Sequence, residues 1–210
     1  MSTQTDTELP EQVLIVEDDS ALRTLLAGII GSRGYHILQA ERRDEALEML
    51  YDFPDVAAVI CDLGLPPQAH TTAEGLATIR DIQNLAISPK IIVLTGQDQE
   101  SSALEAIREG AFDFLAKPAQ ADQIVSALDR ALLFHRKERD MAADGVTRLQ
   151  LNARVSDGLK AVREDAEEKL IRQVLKDTGF NVYQSAAQLG VKRESIYYFM
   201  KKFGIQRDDS

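Results

Sequence analysis

The sequence predicts an α/β protein in which a doubly wound parallel sheet of five strand–helix pairs precedes a small all-helical domain. Over the first 134 residues, short apolar runs alternate with segments whose apolar residues recur at helical spacing. This alternation is typical of a parallel sheet with helices on both faces. Beyond about residue 146 only the helical spacing remains, which predicts a second, separate domain.

Five short apolar runs are the predicted strands, because runs of this length bounded by turn residues indicate strands buried on both faces. They span residues 12–16, 35–40, 56–61, 90–95 and 111–116. The segment after the first run shows the helical spacing, with apolar residues at Leu22, Leu25, Leu26 and Ile29. We predict a disordered N-terminus over residues 1–10 and a first domain over residues 11–134.

The C-terminal region is predicted to consist of a linker followed by three helices. Residues 135–154 are polar and charged and are predicted to be a linker, and the second domain covers residues 155–210. Its first helix, over 155–175, carries one apolar stripe of Val155, Leu159, Val162, Ala166 and Leu170. Two short helices follow, at 181–190 with Asn181 as N-cap and Gly190 as the stop, and at 193–204. Their short connection predicts a helix-turn-helix.

Composition limits the class of protein. The single cysteine in 210 residues excludes a disulfide framework and fits a reducing compartment. The sequence has no signal peptide and no apolar run of membrane-spanning length, which predicts a soluble, cytoplasmic protein without a membrane partner. The net charge of −10 is unevenly distributed, with −13 on residues 1–134 and +3 on residues 135–210. Only the second part is therefore suited to binding nucleic acid.

Chemically active side chains follow four of the predicted strands. Glu17, Asp18 and Asp19 follow the first strand and Asp62 the third, while Thr95 and Lys117 end the fourth and fifth. Each alone has an ordinary interpretation as a turn or solvated residue, and Asp19 is also a plausible helix cap. Together they suggest one site, because the carboxyl ends of parallel strands meet at one edge of a sheet.

The chemistry of such a set is constrained. Clustered carboxylates repel each other unless a cation neutralises them, and Mg²⁺ prefers a few carboxylates together with water and phosphate. A carboxylate can also attack phosphorus and form an aspartyl phosphate. We therefore predict that Asp62 is the nucleophile and that Glu17, Asp18 and Asp62 bind Mg²⁺, with Asp19 a further candidate ligand. Lys117 and Thr95 would contact the phosphoryl oxygens.

Residues 11–134 resemble the receiver domain of bacterial two-component response regulators, which has a flavodoxin-like fold. The strings LIVEDD, ICDLGLP, VLTG and LAKP carry the resemblance, in order and with similar spacing. It implies that Asp62 is the phosphoacceptor, that Thr95 is the switch hydroxyl and that Phe114 is the switch aromatic, although Phe114 is also compatible with core packing. A histidine kinase or phosphotransfer protein would be the partner. Glu17 departs from the aspartate that is frequent in the family.

Residues 162–205 resemble the Fis-type helix-turn-helix, through A-A-x-x-L-G-V, a following arginine and the basic end K-K-F-G-I. The ATPase module that often lies between these two domains is predicted to be absent, because the chain has no G-x-x-x-x-G-K-[S/T] phosphate-binding loop.

The start of a recognition helix enters the major groove of double-stranded DNA. Lys192, Arg193 and Ser195 are placed there, Tyr197 contacts either the core or a phosphate, and Lys201, Lys202 and Arg207 are predicted phosphate contacts.

These features predict a response regulator that is phosphorylated on Asp62 and controls transcription by binding DNA as a homodimer, with no enzymatic activity beyond its own phosphorylation and dephosphorylation. The apolar stripe on 155–175 would join the two copies, or would instead make this helix an intramolecular strut. Two other interpretations stay open. One is a phosphorelay or protein-interaction module without DNA binding, and the other, disfavoured for want of a general acid, is a small phosphotransfer hydrolase.

Overall fold

The computed structural model of the protein describes residues 10–85, 87–96, 100–146 and 158–205. The chain divides into two compact units, Met1–Asp140 and Met141–Ser210. Nearly all of the predicted disordered N-terminus and residues 147–154 of the predicted linker lie outside the described residues. None of the described helices combines the length and apolar character that a membrane span requires.

The N-terminal unit is built on a five-stranded parallel sheet, as predicted. Its strands are β1 (Gln12–Val16), β2 (His36–Ala40), β3 (Val56–Asp62), β4 (Lys90–Thr95) and β5 (Asp113–Ala116). The spatial order is β2-β1-β3-β4-β5, so that β3 is the central strand and β5 lies at an edge. Every residue of β3 is buried, because a central strand with helices on both faces has no side in water.

Five helices cover the two faces of the sheet: α1 (Ser20–Gly31), α2 (Arg43–Asp52), α3 (Ala73–Asn84), α4 (Glu100–Glu109) and α5 (Ala121–Ala143). Successive side chains of a strand point to opposite faces. Val13 of β1 therefore packs in the cluster formed with α1 and α5, whereas its neighbour Leu14 packs in the cluster formed with α2, α3 and α4. The doubly wound architecture is confirmed.

Helix α5 is longer than the sequence indicated. Residues 135–143 fall in the predicted linker but are helical. Contacts with distant parts of the unit hold this last section: Arg136 forms an ion pair with Glu11 at 3.3 Å, and Glu138 forms one with Lys90. Polar composition indicated a linker, but tertiary contacts keep the segment helical.

The described residues 158–205 of the C-terminal unit form three helices: α6 (Gly158–Asp177), α7 (Val182–Leu189) and α8 (Arg193–Lys202). The predicted ends of α7 are confirmed. The Asn181 side chain accepts hydrogen bonds from the backbone of Tyr183 and Gln184, and Gly190 ends the helix with a left-handed φ of 64°. A side chain is strained in that conformation, which explains a glycine there.

Helix α6 has two apolar faces, of which the sequence analysis identified one. The core of the C-terminal unit takes Ile171 and Leu175 from α6, together with Ala186, Ile196 and Ile205. The predicted stripe lies on a different side of the helix. Leu159 is 89% exposed, whereas Val162, Ala166 and Leu170 are partly buried and are not part of that core. Val155 lies outside the described residues.

Candidate functional site

Three carboxylates converge at the carboxyl edge of the sheet. Glu17 directly follows β1 and Asp62 ends β3, and these two strands are neighbours with Val16 in register with Cys61. Glu17 and Asp62 are buried, whereas Asp18 is exposed. Each offers an oxygen, and these three oxygens lie within 4.8 Å of one another. Adjacent strand ends thus bring the predicted acids together.

Lys117 reaches this group from the end of β5. Its Nζ lies 2.8 Å from Glu17 Oε2 and 3.0 Å from Asp62 Oδ2. Burial by itself would lower the pKa of Lys117, but the hydrogen bond to Glu17 and the charge of Asp62 outweigh it and raise the pKa above its usual value. Burial, assisted by the charge of Asp62, raises the pKa of Glu17, and the Lys117 hydrogen bond offsets only part of this effect.

The acidic group retains acceptor oxygens that a cation can bind. Lys117 uses Oε2 of Glu17 and Oδ2 of Asp62. Among the residues that the structure describes, none donates a hydrogen bond to Oδ1 of Asp62 or to the Asp18 carboxylate. Hard oxygen donors with free positions and an open side suit Mg²⁺, which keeps some of its own water.

Asp19 has a different role from the other acids. Its Oδ1 accepts hydrogen bonds from the backbone N–H groups of Ala21 and Leu22, at 2.8 and 3.0 Å, and so caps α1. These two hydrogen bonds, first that of Leu22, lower the pKa of Asp19. The carboxylate is thus used at the helix start, and of the two interpretations made from the sequence the structure favours the cap over the metal ligand.

Thr95 and Phe114 lie at the end of β4 and on β5. Thr95 is buried, and its carbonyl oxygen accepts a hydrogen bond from the Lys117 backbone at 2.6 Å. Phe114 is 46% exposed, since β5 is an edge strand. Its interpretation as a core residue is therefore wrong, and Phe114 belongs to neither core cluster of the unit.

Arg23 is a residue of this site that the sequence analysis missed. Its guanidinium, on α1, donates to the carbonyl oxygen of Glu17 at 2.6 Å and forms an ion pair with Glu41 at 2.6 Å. The arginine therefore holds the backbone of the acidic loop without occupying its carboxylates. A basic residue four positions after the cap of α1 was the available signal.

Two glycines permit close packing of the loop that follows Asp62. A Cβ on Gly64 would lie 2.8 Å from the Ala69 carbonyl oxygen, and one on Gly75 would lie 2.3 Å from Leu63 Cα. Both distances are too short for a side chain. The start of α3 thus packs directly against the backbone beside Asp62.

The exposed side of α8 carries most of the predicted DNA contacts. Lys192, Arg193 and Lys201 are exposed, as is Tyr197 at 62%, which rules out core packing for that tyrosine. Ser195 is partly buried at the first turn. Lys192 precedes the helix without a capping side-chain hydrogen bond, because an ammonium group cannot accept one from the backbone.

Lys202 departs from its predicted role. Its Nζ lies 2.9 Å from Glu167 and 3.9 Å from Glu164, both on α6. The hydrogen bond to Glu167 raises the pKa of Lys202. The side chain therefore joins α8 to α6, and its predicted phosphate contact is not supported. Arg207, the other predicted phosphate contact near the end of the chain, lies outside the described residues.

Comparisons with known proteins agree with these two units. Residues 13–129 match the family described as "Response regulator receiver domain", and residues 162–203 match "Bacterial regulatory protein, Fis family". The chain is similar to the acid tolerance regulatory protein ActR of Rhizobium meliloti (strain 1021), with 37% identity over 118 residues covering 56% of this chain and 58% of that protein.

A second relative spans both units. The C4-dicarboxylate transport transcriptional regulatory protein DctD of Rhizobium meliloti (strain 1021) is 28% identical over 201 residues, which cover 93% of this chain and 41% of DctD. Among solved structures, the receiver domain of NtrX from Brucella abortus superposes with a TM-score of 0.51 at 31% identity, covering 58% of this chain and 98% of that one. The chain belongs to the response regulator family and joins a receiver domain to a Fis-family helix-turn-helix, the combination of a phosphorylation-dependent regulator of transcription.

Proposed function

We propose that Asp62 accepts a phosphoryl group from a histidine kinase or phosphotransfer protein, and that Glu17, Asp18 and Asp62 hold the Mg²⁺ that this transfer requires. The observation that carries the proposal is the position of Lys117 Nζ, within 3.0 Å of both buried carboxylates. An ammonium group there neutralises the site before transfer and can pair with a phosphoryl oxygen afterwards.

In the transfer, an Asp62 carboxylate oxygen forms the new P–O bond while the P–N bond to the donor histidine breaks. The bond electrons stay on the imidazole nitrogen, which then takes a proton. A bound Mg²⁺ would neutralise charge on the transferring phosphoryl oxygens. Thr95, next to this edge, would contact one of those oxygens, and the exposed Phe114 would follow its movement.

Chemical phosphorylation tests the assignment. Incubation with acetyl phosphate and Mg²⁺ should yield an adduct of one phosphoryl group that hydroxylamine cleaves, mapped to the peptide that contains Asp62. Asp62→Asn should abolish it, whereas Asp19→Asn, at the helix cap, should leave it in place. Undiminished labelling of the Asp62→Asn protein would refute the proposal. Phosphorylation and dephosphorylation of its own aspartate are the full enzymatic activity that we propose.

For the output we propose that α8 enters the major groove of double-stranded DNA. The exposed Arg193 and the partly buried Ser195 of the first turn face the bases, while Lys192, Lys201 and the exposed Tyr197 contact phosphates. DNA binding and a kinase partner both favour a cytoplasmic location. The alternative is a protein-interaction module that does not bind DNA. It would be favoured if the chain shows no binding to random duplex even at low salt.

We further propose that two copies pair through the second apolar face of α6. This face consists of Val162, Ala166 and Leu170, which recur at helical spacing and are not part of the core of the unit. Leu159, which is exposed, extends the same stripe toward the start of the helix. Two linked recognition helices gain affinity by effective concentration, by roughly 10²–10⁴-fold. Leu170→Glu should give monomers in sedimentation analysis. If this variant stays dimeric, the α6 stripe is an intramolecular strut.

A further inference from the structure

Glu194 stands apart from the other acids of residues 158–205. Five carboxylates there have a side-chain partner: Glu164 and Glu167 with Lys202, Asp165 with Lys169, Glu168 with Arg172, and Asp177 with Gln173. Glu194 has no hydrogen bond or ion pair with any other residue that the structure describes. Its carboxylate is exposed at the first turn of α8 and is available for a partner outside the chain.

The position of Glu194 places it on the side of α8 that meets DNA. Ile196 is fully buried and marks the side that packs into the unit. Glu194, Tyr197 and Lys201 are all exposed, and their spacing of three and four residues puts them together on a side of the helix that faces away from Ile196. The residues of the first turn of a recognition helix are those that reach base edges.

A carboxylate on this surface is unfavourable for general affinity, because it repels the phosphate backbone. It has one ordinary role, the stabilisation of the positive end of the helix dipole, which would not favour any base over another. A carboxylate only accepts hydrogen bonds. In the major groove, guanine presents acceptors, adenine presents a donor beside an acceptor, thymine presents an acceptor and a methyl group, and cytosine presents the N4 amino donor without an acceptor.

We propose that Glu194 is a specificity-determining residue, which accepts a hydrogen bond from the N4 amino group of a cytosine in each half-site. The inference rests on the proposed docking of α8 in the major groove and adds the base that this residue selects. Guanine or thymine at that position would leave the carboxylate facing acceptors, and adenine would offer its donor only with the N7 acceptor beside it. Glu194 therefore lowers the affinity for unrelated sequences. At a cytosine, the hydrogen bond from the N4 amino group offsets this loss of affinity.

Selection of binding sites from randomised duplexes by the full chain tests this inference. The wild-type protein should enrich cytosine at one position of each half-site by about 5- to 10-fold over the other bases. Glu194→Ala should lose that preference while keeping the rest of the motif, and Glu194→Gln should shift it toward adenine, because a glutamine amide pairs with adenine N6 and N7. Affinity for unrelated duplex should not fall in either variant.

Asp177→Asn is the matched control, since it removes one carboxylate of the same unit at the end of α6, and its motif should be that of the wild type. If the Glu194 variants enrich the wild-type motif unchanged, the inference is wrong and the residue serves only the helix dipole. If the wild-type protein itself enriches no motif, sequence-specific binding by α8 fails as well, and the inference falls with it.

Discussion

Replacing Lys117 by methionine should destabilise the N-terminal unit in a way that depends on pH and on Mg²⁺. The change keeps an unbranched side chain but removes the ammonium that lies 2.8 Å from Glu17 and 3.0 Å from Asp62. The two carboxylate side chains are only 2% and 10% exposed. Without Lys117 they face each other, buried and with no cation between them.

The size of the effect follows from this geometry. At an effective dielectric constant near 20, each contact of about 3 Å is worth roughly 5 kcal/mol of Coulomb attraction, most of which offsets the cost of burying the charges. Removal of one partner from a buried ion pair costs about 3–5 kcal/mol. Because 26% of the Lys117 side chain remains in water, we expect a loss of about 3 kcal/mol, which corresponds to a fall in Tm of about 10 °C.

The pH dependence has a definite sign. The pKa of Glu17 is already raised by burial, and it rises further in the variant because the Lys117 contribution that lowers it is gone. An acid with a raised pKa in the folded state costs stability as the pH rises from its unfolded pKa through its folded pKa. The deficit of the variant should therefore be largest at neutral pH and should shrink toward pH 5. Saturating Mg²⁺ should also reduce it by supplying a cation.

Urea unfolding followed by circular dichroism, at both pH values and with and without Mg²⁺, measures these differences. Lys137→Met is the matched control, because Lys137 pairs with Asp140 on the surface, where the two side chains are 68% and 59% exposed. Such a pair contributes at most about 0.5 kcal/mol. A Lys117→Met deficit that is the same at both pH values and unaffected by Mg²⁺ would show that the lysine acts by packing alone.

Three further predictions have definite expected outcomes. Thr95→Ala should still be phosphorylated by acetyl phosphate, but its DNA affinity, measured by fluorescence anisotropy, should no longer change on phosphorylation; a wild-type response would contradict the switch role. Asn181→Ala should lower the free energy of unfolding of the C-terminal unit by about 1 kcal/mol, because two backbone donors lose their cap, whereas Lys192→Ala, which removes no capping bond, should change it little. In salt titrations of DNA binding, Lys201→Met should reduce the slope of log K against log salt by about 0.9, because one phosphate contact is lost. Lys202→Met should leave the slope unchanged and instead destabilise the C-terminal unit. Equal slopes for the two variants would refute the assignment of Lys201 to a phosphate and of Lys202 to α6.

Several assignments could be made from the sequence because they depend on local patterns. The strands were recognised as short apolar runs, and Asn181 and Gly190 were identified as the ends of α7 from residue type and position. The candidate site followed from topology: in a parallel sheet the carboxyl ends of all strands lie at one edge, so Glu17, Asp62 and Lys117 could be grouped without coordinates.

Other features depended on neighbours that are distant along the chain. Polar composition suggested a linker over residues 135–143, but ion pairs with Glu11 and Lys90 hold these residues in α5. Both apolar faces of α6 have helical spacing, and spacing alone does not say which of them the small domain buries. Packing against Ile196 and Ile205 selects the face of Ile171.

The sequence by itself determined the order of the elements and the set of chemical groups at the sheet edge, because periodicity and strand direction are properties of short segments. Only the tertiary structure decided how each charge is used. Asp19 caps a helix while Asp18 retains free oxygens, Arg23 holds the backbone of the acidic loop, and Lys202 binds α6 while Lys201 faces solvent. Residue type does not distinguish these cases, because the role of a charged side chain is set by the partner that the folded chain brings within about 3 Å of it.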